Sequence, residues 1–333
     1  MKFLDLFAGI GGFRLGMEAA GHECAGYVEW DKFARKSYEA IHNTKGEWTA
    51  HDITTVTNND LRLLRGTVDV ICGGFPCQAF SIAGKRLGFA ETRGTLFFEI
   101  ARFAKEIQPQ YLFLENVKGL LNHDGGNTFR TIISTLDELG YDAEWQVLNS
   151  KDYGVPQNRE RVFIIGHLRG RSRREVFPIR RSCKEASVRK IGMLDVKGKD
   201  QIRRVYGTDG IAPCLTTMQG GGQEPKIVTC VNPRQTDGTQ TRQQDRVYIP
   251  DGNMVALSAQ LGGRYNIVQP ENIESKPPYR IRRLTPRECW RLQGFPDWAF
   301  DRAREVNSDS QLYKQAGNSV TVPVIYEIAK RLV

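Results

Sequence analysis

The first half of the chain alternates short apolar runs with amphipathic segments of helical period, and this alternation restricts the fold more than any other feature. The apolar runs have strand length and lie at residues 3–7, 24–29, 68–72, 111–114, 143–149 and 161–166. The helical patterns cover residues 13–20, 31–41, 95–107 and 127–139, with Asp31 placed to cap the second of them. This order predicts an α/β fold: a doubly wound, mostly parallel sheet with helices on both faces.

The alternation ends near Gly170. From there to about residue 278 the chain is rich in Gly, Thr, Gln and Arg, and its apolar runs are short. We therefore expect a smaller domain of strands and long loops over residues 171–311, with residues 1–170 and 312–333 forming the sheet domain. Helical signals return late: Thr285 before Pro286 is a typical N-cap followed by a first-turn proline, and residues 322–332 are amphipathic.

Positive charge is concentrated in one stretch. The 333-residue chain has a net charge of +9, and residues 159–204 alone hold 15 Lys or Arg against 5 Asp or Glu. This asymmetry predicts that one part of the molecule binds a polyanion. A solvated basic linker would have the same composition, so charge alone leaves both interpretations open.

The same composition argues against several classes of protein. No window approaches 18 consecutive apolar residues, and the first residues lack the pattern of a signal peptide. The seven Cys include no CxxC pair and the five His are scattered, which argues against a disulfide framework and a structural zinc site. We expect a cytoplasmic protein with reduced thiols and no metal.

Four clusters of chemically active residues follow strand candidates, at the edge of a parallel sheet where ligands bind. The first, residues 5–12, is glycine-rich, which lets the backbone approach a ligand closely; a plain tight turn would have the same composition. The second is Glu29 with Trp30: a carboxylate placed for ribose hydroxyls and a ring able to stack on adenine. A surface Glu beside a half-buried Trp is the alternative.

The third and fourth clusters suit covalent and proton-transfer chemistry. Cys77 lies in the glycine-rich segment 73–81, an exposed position of the kind a nucleophile needs, although most single cysteines are inert core residues. Three cations follow it, Lys85, Arg86 and Arg93. Glu115 ends the fourth strand candidate and is placed to donate a proton or a hydrogen bond; a helix-capping carboxylate is the other interpretation.

Six motifs stand in order along the chain, and only residues 170–278 lie outside them. They are Asp5-Leu-Phe-Ala-Gly-Ile-Gly-Gly12, Gly74-Phe-Pro-Cys-Gln-Ala-Phe-Ser81, Glu115-Asn-Val117, Gln157-Asn-Arg-Glu-Arg161, Arg283-Leu-Thr-Pro-Arg-Glu-Cys-Trp-Arg-Leu-Gln-Gly-Phe-Pro296 and Gln315-Ala-Gly-Asn-Ser-Val320. Together they resemble the cytosine-5 DNA methyltransferases, most closely the bacterial and phage restriction–modification type. The sheet domain would then be catalytic and the small domain would recognise the target.

The resemblance implies methyl transfer from S-adenosylmethionine to C5 of cytosine. Cys77 matches the family's nucleophile, which attacks C6 and leaves C5 nucleophilic. Glu115 would hydrogen-bond or protonate N3, and Arg161 would contact the O2 region. Since a free Cys is only a few per cent thiolate at neutral pH, Arg159 and Arg161 are expected to favour the thiolate of Cys77.

The resemblance also implies a cofactor site. Glu29 would hold the ribose, Trp30 would pack on the adenine, and Asp52 would accept from the adenine amino group. The complete set of expected cofactor contacts is Phe7, Gly9, Gly11, Glu29, Trp30, Asp52, Ile53, Pro76, Leu96, Asn318, Ser319 and Val320.

Double-stranded DNA is the implied partner, and its target base must leave the duplex to be methylated. The basic stretch would contact phosphates while the small domain reads base edges. Expected DNA contacts are Gln78, Ser81, Lys85, Arg93, Thr216 and Thr217. Residue type adds as further candidates for base reading Gln219, Arg234, Gln235, Gln240 and Arg242.

One position departs from the family pattern. In many relatives a Thr-Leu pair follows a proline in the recognition domain, whereas here Cys214 stands in the Thr place, between Pro213 and Leu215. If the family's hydroxyl holds a phosphate, Thr216 or Thr217 would take over that contact in this chain.

Three other functions are each compatible with part of the sequence. An RNA cytosine methyltransferase of the same fold is disfavoured by the long segment 170–278, and a catalytically silent DNA-binding or regulatory protein by the intact Cys77, Glu115 and Arg161. A small-molecule methyltransferase is disfavoured by the basic second domain. The recognition sequence and the existence of a cognate restriction endonuclease stay open. We expect a monomer, because one chain can surround one target base.

Overall fold

The computed structural model describes residues 1–76, 96–171, 174–180, 190–193, 203–206, 211–217, 224–230, 247–248, 266–267 and 279–332. In the first half the predicted alternation is confirmed. The strands are β1 Lys2–Leu6, β2 Glu23–Val28, β3 Trp48–Ala50, β4 Val70–Gly74, β5 Tyr111–Val117, β6 Tyr141–Asn149 and β7 Glu160–Leu168. The helices between them are α1 Gly12–Ala19, α2 Lys32–Ile41, α3 Asn58–Leu63, α4 Leu96–Ile107 and α5 Asn127–Glu138. The sequence pattern missed β3 and α3, which are too short to establish a period.

The seven strands form one sheet in the order β3-β2-β1-β4-β5-β7-β6. Every pair from β3 to β5 is parallel, whereas β7 runs antiparallel to both β5 and β6. The predicted doubly wound, mostly parallel sheet is confirmed. The carboxyl ends of β1 to β5 therefore share one edge with the amino end of β7, where Arg161 lies opposite Val117.

Four more helices are described near the end of the chain: α6 Pro286–Leu292, α7 Asp297–Val306, α8 Asp309–Asn318 and α9 Val322–Ala329. The expected N-cap of α6 is confirmed. The Thr285 hydroxyl accepts from the Glu288 backbone N–H, and the Glu288 carboxylate accepts from the Thr285 N–H. The sequence pattern did not indicate α7 or α8.

Helices cover both faces of the sheet, because successive side chains of a strand point to opposite faces. On one face Leu4 and Leu6 pack with apolar residues of α3, α4 and α5. On the other face Phe3 packs with residues of α1 and α9. These two buried layers fix the sheet edge at which the carboxyl ends of β1 to β5 meet the amino end of β7.

The helices α6 to α8 pack beside α2. Trp290, Phe300 and Leu312 form a buried cluster with Ile10 and Ile41. Residues 286–306, assigned by our prediction to the small domain, thus contact the sheet domain. The division into residues 1–170 with 312–333 and residues 171–311 stays a prediction.

The described part of the small domain is strand-rich, as expected. Strands β8 Lys190–Met193, β9 Arg204–Tyr206, β10 Lys226–Cys230 and β13 Tyr279–Arg283 form a sheet in the order β13-β10-β9-β8. A separate two-stranded sheet pairs β11 Val247–Tyr248 with β12 Asn266–Ile267. Among the described residues no helix is long and apolar enough to cross a membrane.

Candidate active site

The loop after β1 is held in an unusual backbone conformation. Phe7, Gly9 and Gly11 all adopt left-handed φ values, of 55°, 57° and 82°. A Cβ on Gly11 would overlap the imidazole of His42, so this turn requires glycine. A Cβ on Gly9 would meet no described atom within 4 Å. The loop therefore packs tightly on its inner side and borders open space at Gly9.

Glu29, directly after β2, is tied to this loop. Its two carboxylate oxygens accept hydrogen bonds from the backbone N–H groups of Gly9 and Asp31, both at 2.7 Å. Burial raises the pKa of the Glu29 carboxyl, against the opposing effect of these bonds. The neighbouring Trp30 side chain is 74% exposed. A fixed carboxylate thus stands beside an accessible aromatic ring.

The other expected cofactor residues lie around the same edge. Asp52 follows β3 and caps a short 3₁₀-helix, Ile53–Thr55, accepting from the Thr54 N–H at 2.9 Å. Ile53 is buried beneath it. A Cβ on Gly12 would lie 2.8 Å from side-chain atoms of both Ser319 and Val320, so the segment 318–320 lies against the end of the loop after β1, here called the glycine loop. Pro76 and Leu96 flank residues 77–95, which lie outside the described part of the chain.

Glu115, near the end of β5, is a buried carboxylate that contacts one cation among the described residues. Its Oε1 lies 3.0 Å from the Nε of Arg161. Burial raises the pKa of the Glu115 carboxyl, while Arg161 and Arg159 act in the opposite direction. Gly74 lies opposite Glu115 on β4, and a Cβ there would come within 2.9 Å of Glu115 Oε2. The glycine leaves the room that this carboxylate occupies.

Asn116 fixes the chain immediately before the expected nucleophile. Its side-chain amide donates to the Phe75 carbonyl at 2.8 Å, and its Oδ1 accepts from the Val117 N–H at 2.8 Å. The side chain is 2% exposed. Cys77 and the expected DNA contacts Gln78, Ser81, Lys85 and Arg93 lie outside the described residues, so their positions stay predictions.

Arg159 is almost fully buried and contacts backbone carbonyls from two distant segments. Its Nη2 donates to Gly317 O at 3.1 Å and to Ser319 O at 2.8 Å. Its Nη1 donates to Leu215 O at 3.4 Å. Burial, and then the neighbouring Arg161, lower the pKa of the Arg159 guanidinium. Arg159 thereby links the small domain to the segment expected to bind cofactor.

Residues 211–217, here called the recognition segment, lie directly against the site. Gln157, fully buried, accepts from the Leu215 N–H at 3.3 Å and donates to Leu292 O at 2.8 Å. The Asn158 N–H donates to Ala212 O at 2.9 Å. A Cβ on Gly317 would overlap the Thr216 carbonyl and lie 2.9 Å from the Thr217 nitrogen. The backbone of the expected DNA contacts Thr216 and Thr217 therefore packs against Gly317.

Our assignment of roles from the sequence missed Gln157, Gln293 and Gly317. The Gln293 side chain is fully buried, donates to Ala316 O at 2.7 Å and accepts from the Thr321 hydroxyl at 2.9 Å. All three residues stand inside the quoted motifs. Their position inside these motifs was the available signal.

The arginines named from the sequence have different kinds of partner in the described part of the chain. Arg161 does contact Glu115, whereas the described partners of Arg159 are carbonyls and a sulfur rather than a carboxylate. Arg169, in the basic stretch, pairs with Asp137 and Asp142. Among the described residues no group of three or more His, Cys, Asp or Glu side chains is arranged to hold a metal ion.

The sheet order, the antiparallel β7, the left-handed loop after β1 and the carboxylate after β2 define the S-adenosylmethionine-dependent methyltransferase fold. Two solved structures share it. A DNMT2 variant of Spodoptera frugiperda matches with a TM-score of 0.63 at 20% identity, covering 99% of both chains. The methyltransferase EhMeth of Entamoeba histolytica matches with a TM-score of 0.65 at 18% identity, covering 100% of this chain and 97% of that one.

The chain belongs to the C-5 cytosine-specific DNA methylase family, which it matches over residues 1–333. It is 37% identical to the type II methyltransferase M.HhaI of Haemophilus parahaemolyticus, over 99% of this chain and 93% of that protein. It is 38% identical to M.HpaII of Haemophilus parainfluenzae, over 99% and 88%. The orphan methyltransferase M.SPBetaI of Bacillus phage SPbeta is 31% identical, over 100% and 97%. The protein is a DNA cytosine-5-methyltransferase, and its family and fold imply S-adenosylmethionine as the methyl donor.

Proposed function

We propose that this enzyme methylates C5 of a cytosine flipped out of one specific short sequence in double-stranded DNA, through a covalent bond between Cys77 and C6. The observation that carries the proposal is the buried Glu115 carboxyl, held 3.0 Å from the Arg161 guanidinium at the end of β5. It places a proton donor directly beside a cation, as activation of a pyrimidine ring requires.

The cofactor residues fit the proposed donor. S-adenosylmethionine supplies an activated methyl group when bound. The open space at Gly9 leaves room for a ligand beside the backbone. Each Glu29 oxygen accepts one backbone N–H and keeps capacity for a ribose hydroxyl. The exposed Trp30 ring offers a stacking surface for adenine. Asp52, Ile53, Phe7, Gly11, Pro76, Leu96 and residues 318–320 complete the proposed pocket.

Glu115 acts on N3 of the target cytosine. Because burial raises its pKa, the carboxyl keeps a proton to higher pH than an exposed glutamic acid. Donation of that proton to N3 draws electron density from C6, which the Cys77 thiolate then attacks. Arg161 contacts O2 and stabilises negative charge that develops there. Arg159, placed among backbone carbonyls, holds the surrounding segments in register.

The ring then completes the reaction through the chain's own groups. Bond formation at C6 makes C5 nucleophilic. C5 would then take the methyl group as the bond from that methyl to the donor's sulfonium sulfur breaks, with S-adenosylhomocysteine as the product that leaves. Loss of the C5 proton to a base and departure of Cys77 from C6 restore the aromatic ring, and Glu115 regains its proton from N3. Each turnover therefore returns Cys77 and Glu115 to their starting states.

Flipping the base costs a few kcal/mol, which contacts to the DNA backbone offset. Gln78, Ser81, Lys85 and Arg93, which follow Cys77, and Thr216 and Thr217 in the recognition segment are the proposed DNA contacts. We further propose that the protein acts as a monomer, because one chain can surround one target base. We place it in a bacterial cytoplasm or a phage-infected host, as the bacterial and phage origin of its relatives suggests. A cognate restriction endonuclease would be a functional partner.

The first experiment is methylation of mixed-sequence DNA with S-adenosylmethionine, analysed by conversion sequencing at single-base resolution. The proposal expects 5-methylcytosine in one short sequence context. Absence of methylcytosine from DNA, with transfer to tRNA instead, would assign the enzyme to RNA. No transfer to either, with DNA binding retained, would favour the silent regulatory interpretation.

The covalent step has its own test. DNA that carries 5-fluorocytosine at the target lacks a removable C5 proton, so it should trap a protein–DNA adduct that survives denaturation. The matched control is Cys77→Ala, which should form no adduct and transfer no methyl group while binding cofactor with nearly native affinity. An adduct in the control would remove Cys77 from the mechanism.

A further inference from the structure

The thiol of Cys214, in the recognition segment, contacts both arginines of the site. The Nη1 of Arg159 lies 3.6 Å from the Cys214 sulfur, and the Nη2 of Arg161 lies 3.8 Å from it. The thiol also lies 3.6 Å from Leu215 O, which it reaches as a donor. With the S–H directed at a carbonyl, the sulfur lone pairs are free to accept from the two guanidinium groups.

This placement differs from the role suggested by the resemblance. A threonine at this position would be expected to hold a DNA phosphate through its hydroxyl. The Cys214 residue is exposed, and its sulfur lies within contact distance of two cations that repel each other. An acceptor between two guanidinium groups reduces that repulsion and gives each of them a defined direction.

Arg161 is the cation that depends most on this contact. Its three guanidinium nitrogens have different partners: Nε lies against Glu115, Nη1 donates to Glu160 O at 2.8 Å, and Nη2 contacts Cys214. Glu160 adjoins Arg161 on the same strand. Among these described partners, only Cys214 belongs to the small domain.

We propose that Cys214 is a positioning residue: its sulfur orients the Arg161 guanidinium against Glu115 and makes that orientation depend on the recognition segment. This inference rests on the proposed function. It assigns Cys214 to the chemical step rather than to a phosphate contact. A correctly seated recognition segment would then be required for a correctly aimed Arg161, which couples DNA reading to methyl transfer.

The test uses a pair of variants of equal shape. Cys214→Thr and Cys214→Val differ mainly in whether the side chain carries an acceptor. The single-turnover methylation rate is measured at saturating DNA and cofactor, together with the dissociation constants of both ligands. We expect Thr to stay within about threefold of the native rate and Val to be about tenfold slower, which corresponds to about 1.4 kcal/mol. Both variants should bind DNA and cofactor within about threefold of the native protein.

Cys214→Ser and Cys214→Ala form a second pair if bulk at this position prevents folding, which thermal unfolding would reveal. Ser keeps an acceptor and should restore most of the rate that Ala loses. Equal single-turnover rates within each pair would overturn the proposal. So would a loss confined to DNA affinity with an unchanged single-turnover rate at saturating DNA, because that pattern marks a contact to DNA rather than a role in the chemical step.

Failure of the proposed function and failure of the role of Cys214 give different results. If the native protein neither methylates DNA nor traps a covalent adduct, the proposed function is wrong. If the native protein does both and the acceptor makes no difference at position 214, only the role of Cys214 is wrong.

Discussion

The carboxyl edge of the sheet has a cofactor half, around Glu29 and Asp52, and a catalytic half, around Glu115, Arg159 and Arg161. The two halves are held together in different ways. At the cofactor half, Glu29 accepts from Gly9 and Asp31, and Asp52 accepts from Thr54, all within about twenty residues along the chain. At the catalytic half, Arg159 contacts carbonyls 56 to 160 residues away. The part of the cofactor half around Glu29 and Asp52 is built from local turns, and residues 318–320 reach it from a distant segment. The catalytic half exists only where three distant segments meet.

This difference separates binding from chemistry. The local turns around Glu29 and Asp52 keep their shape when remote segments shift, so cofactor affinity should be less sensitive than methyl transfer to changes in the recognition segment. The catalytic half shares Gln157, Arg159 and Arg161 with the recognition segment and should respond to such changes strongly. The enzyme can then hold cofactor before DNA arrives and complete its catalytic contacts only with DNA in place.

The largest expected effect separates the halves directly. Glu115→Gln removes the proton that we assign to N3 and should slow single-turnover methyl transfer about 1000-fold, within the range of general acid catalysis. The cofactor dissociation constant, measured by calorimetry, should stay within twofold. An unchanged turnover rate would show that N3 is activated by another group.

The next effect addresses the junction between segments. Gly317→Ala places a Cβ on the Thr216 carbonyl and must displace either the recognition segment or α8. We expect methyl transfer to fall about 100-fold and the free energy of unfolding to fall by about 1–3 kcal/mol. Gly119→Ala is the matched control, since a Cβ there meets no described atom within 4 Å. If cofactor affinity falls as far as methyl transfer does, the two halves are not independent.

His42, which packs against Gly11 in the loop after β1, should make the free energy of unfolding depend on pH. Burial lowers the pKa of His42 from 6.5 to about 3, and Arg14 and Arg302 add to this effect while the Ile10 backbone opposes it. The unfolded chain therefore takes up a proton that the folded chain does not. The contribution of His42 to the free energy of unfolding therefore keeps its full value above pH 6.5, where His42 is neutral in both states, and decreases as pH falls from 6.5 toward 3.

Between pH 7 and pH 5 the native protein should lose about 2 kcal/mol more unfolding free energy than His42→Gln does. Urea unfolding at the two pH values measures both differences, and the comparison cancels the contributions of other groups. Parallel stability curves for the two proteins would contradict a buried neutral imidazole.

The smallest effect tests the cofactor half alone. Glu29→Gln replaces one carboxylate oxygen by an NH₂ group that faces a backbone N–H of Gly9 or Asp31 instead of accepting from it. We expect the cofactor dissociation constant to rise about tenfold. The single-turnover rate at saturating cofactor should stay within threefold, and a larger loss there would place Glu29 in the chemical step.

The sequence alone was enough for the fold class and for the strand ends that carry the site. Alternation of period two and period 3.6 is a local property, and it indicated β1, β2, β4 and β5 with their helices. The capping residues Asp31 and Thr285 were recognisable because an N-cap bonds within its own first turn. Glu29 and Glu115 were also found from a local signal, because Glu29 directly follows an apolar run and Glu115 ends one.

Only the tertiary structure decided which segments meet at that edge. Arg159 binds backbone carbonyls, and because every residue carries a carbonyl, no sequence pattern could mark Leu215, Gly317 or Ser319 as its partners. The crossing of Thr216 over Gly317 and the turn of the Cys214 sulfur toward the arginines are contacts across long separations in the chain. The sequence determined which groups are available for the chemistry, and packing between distant segments determined which of them face one another.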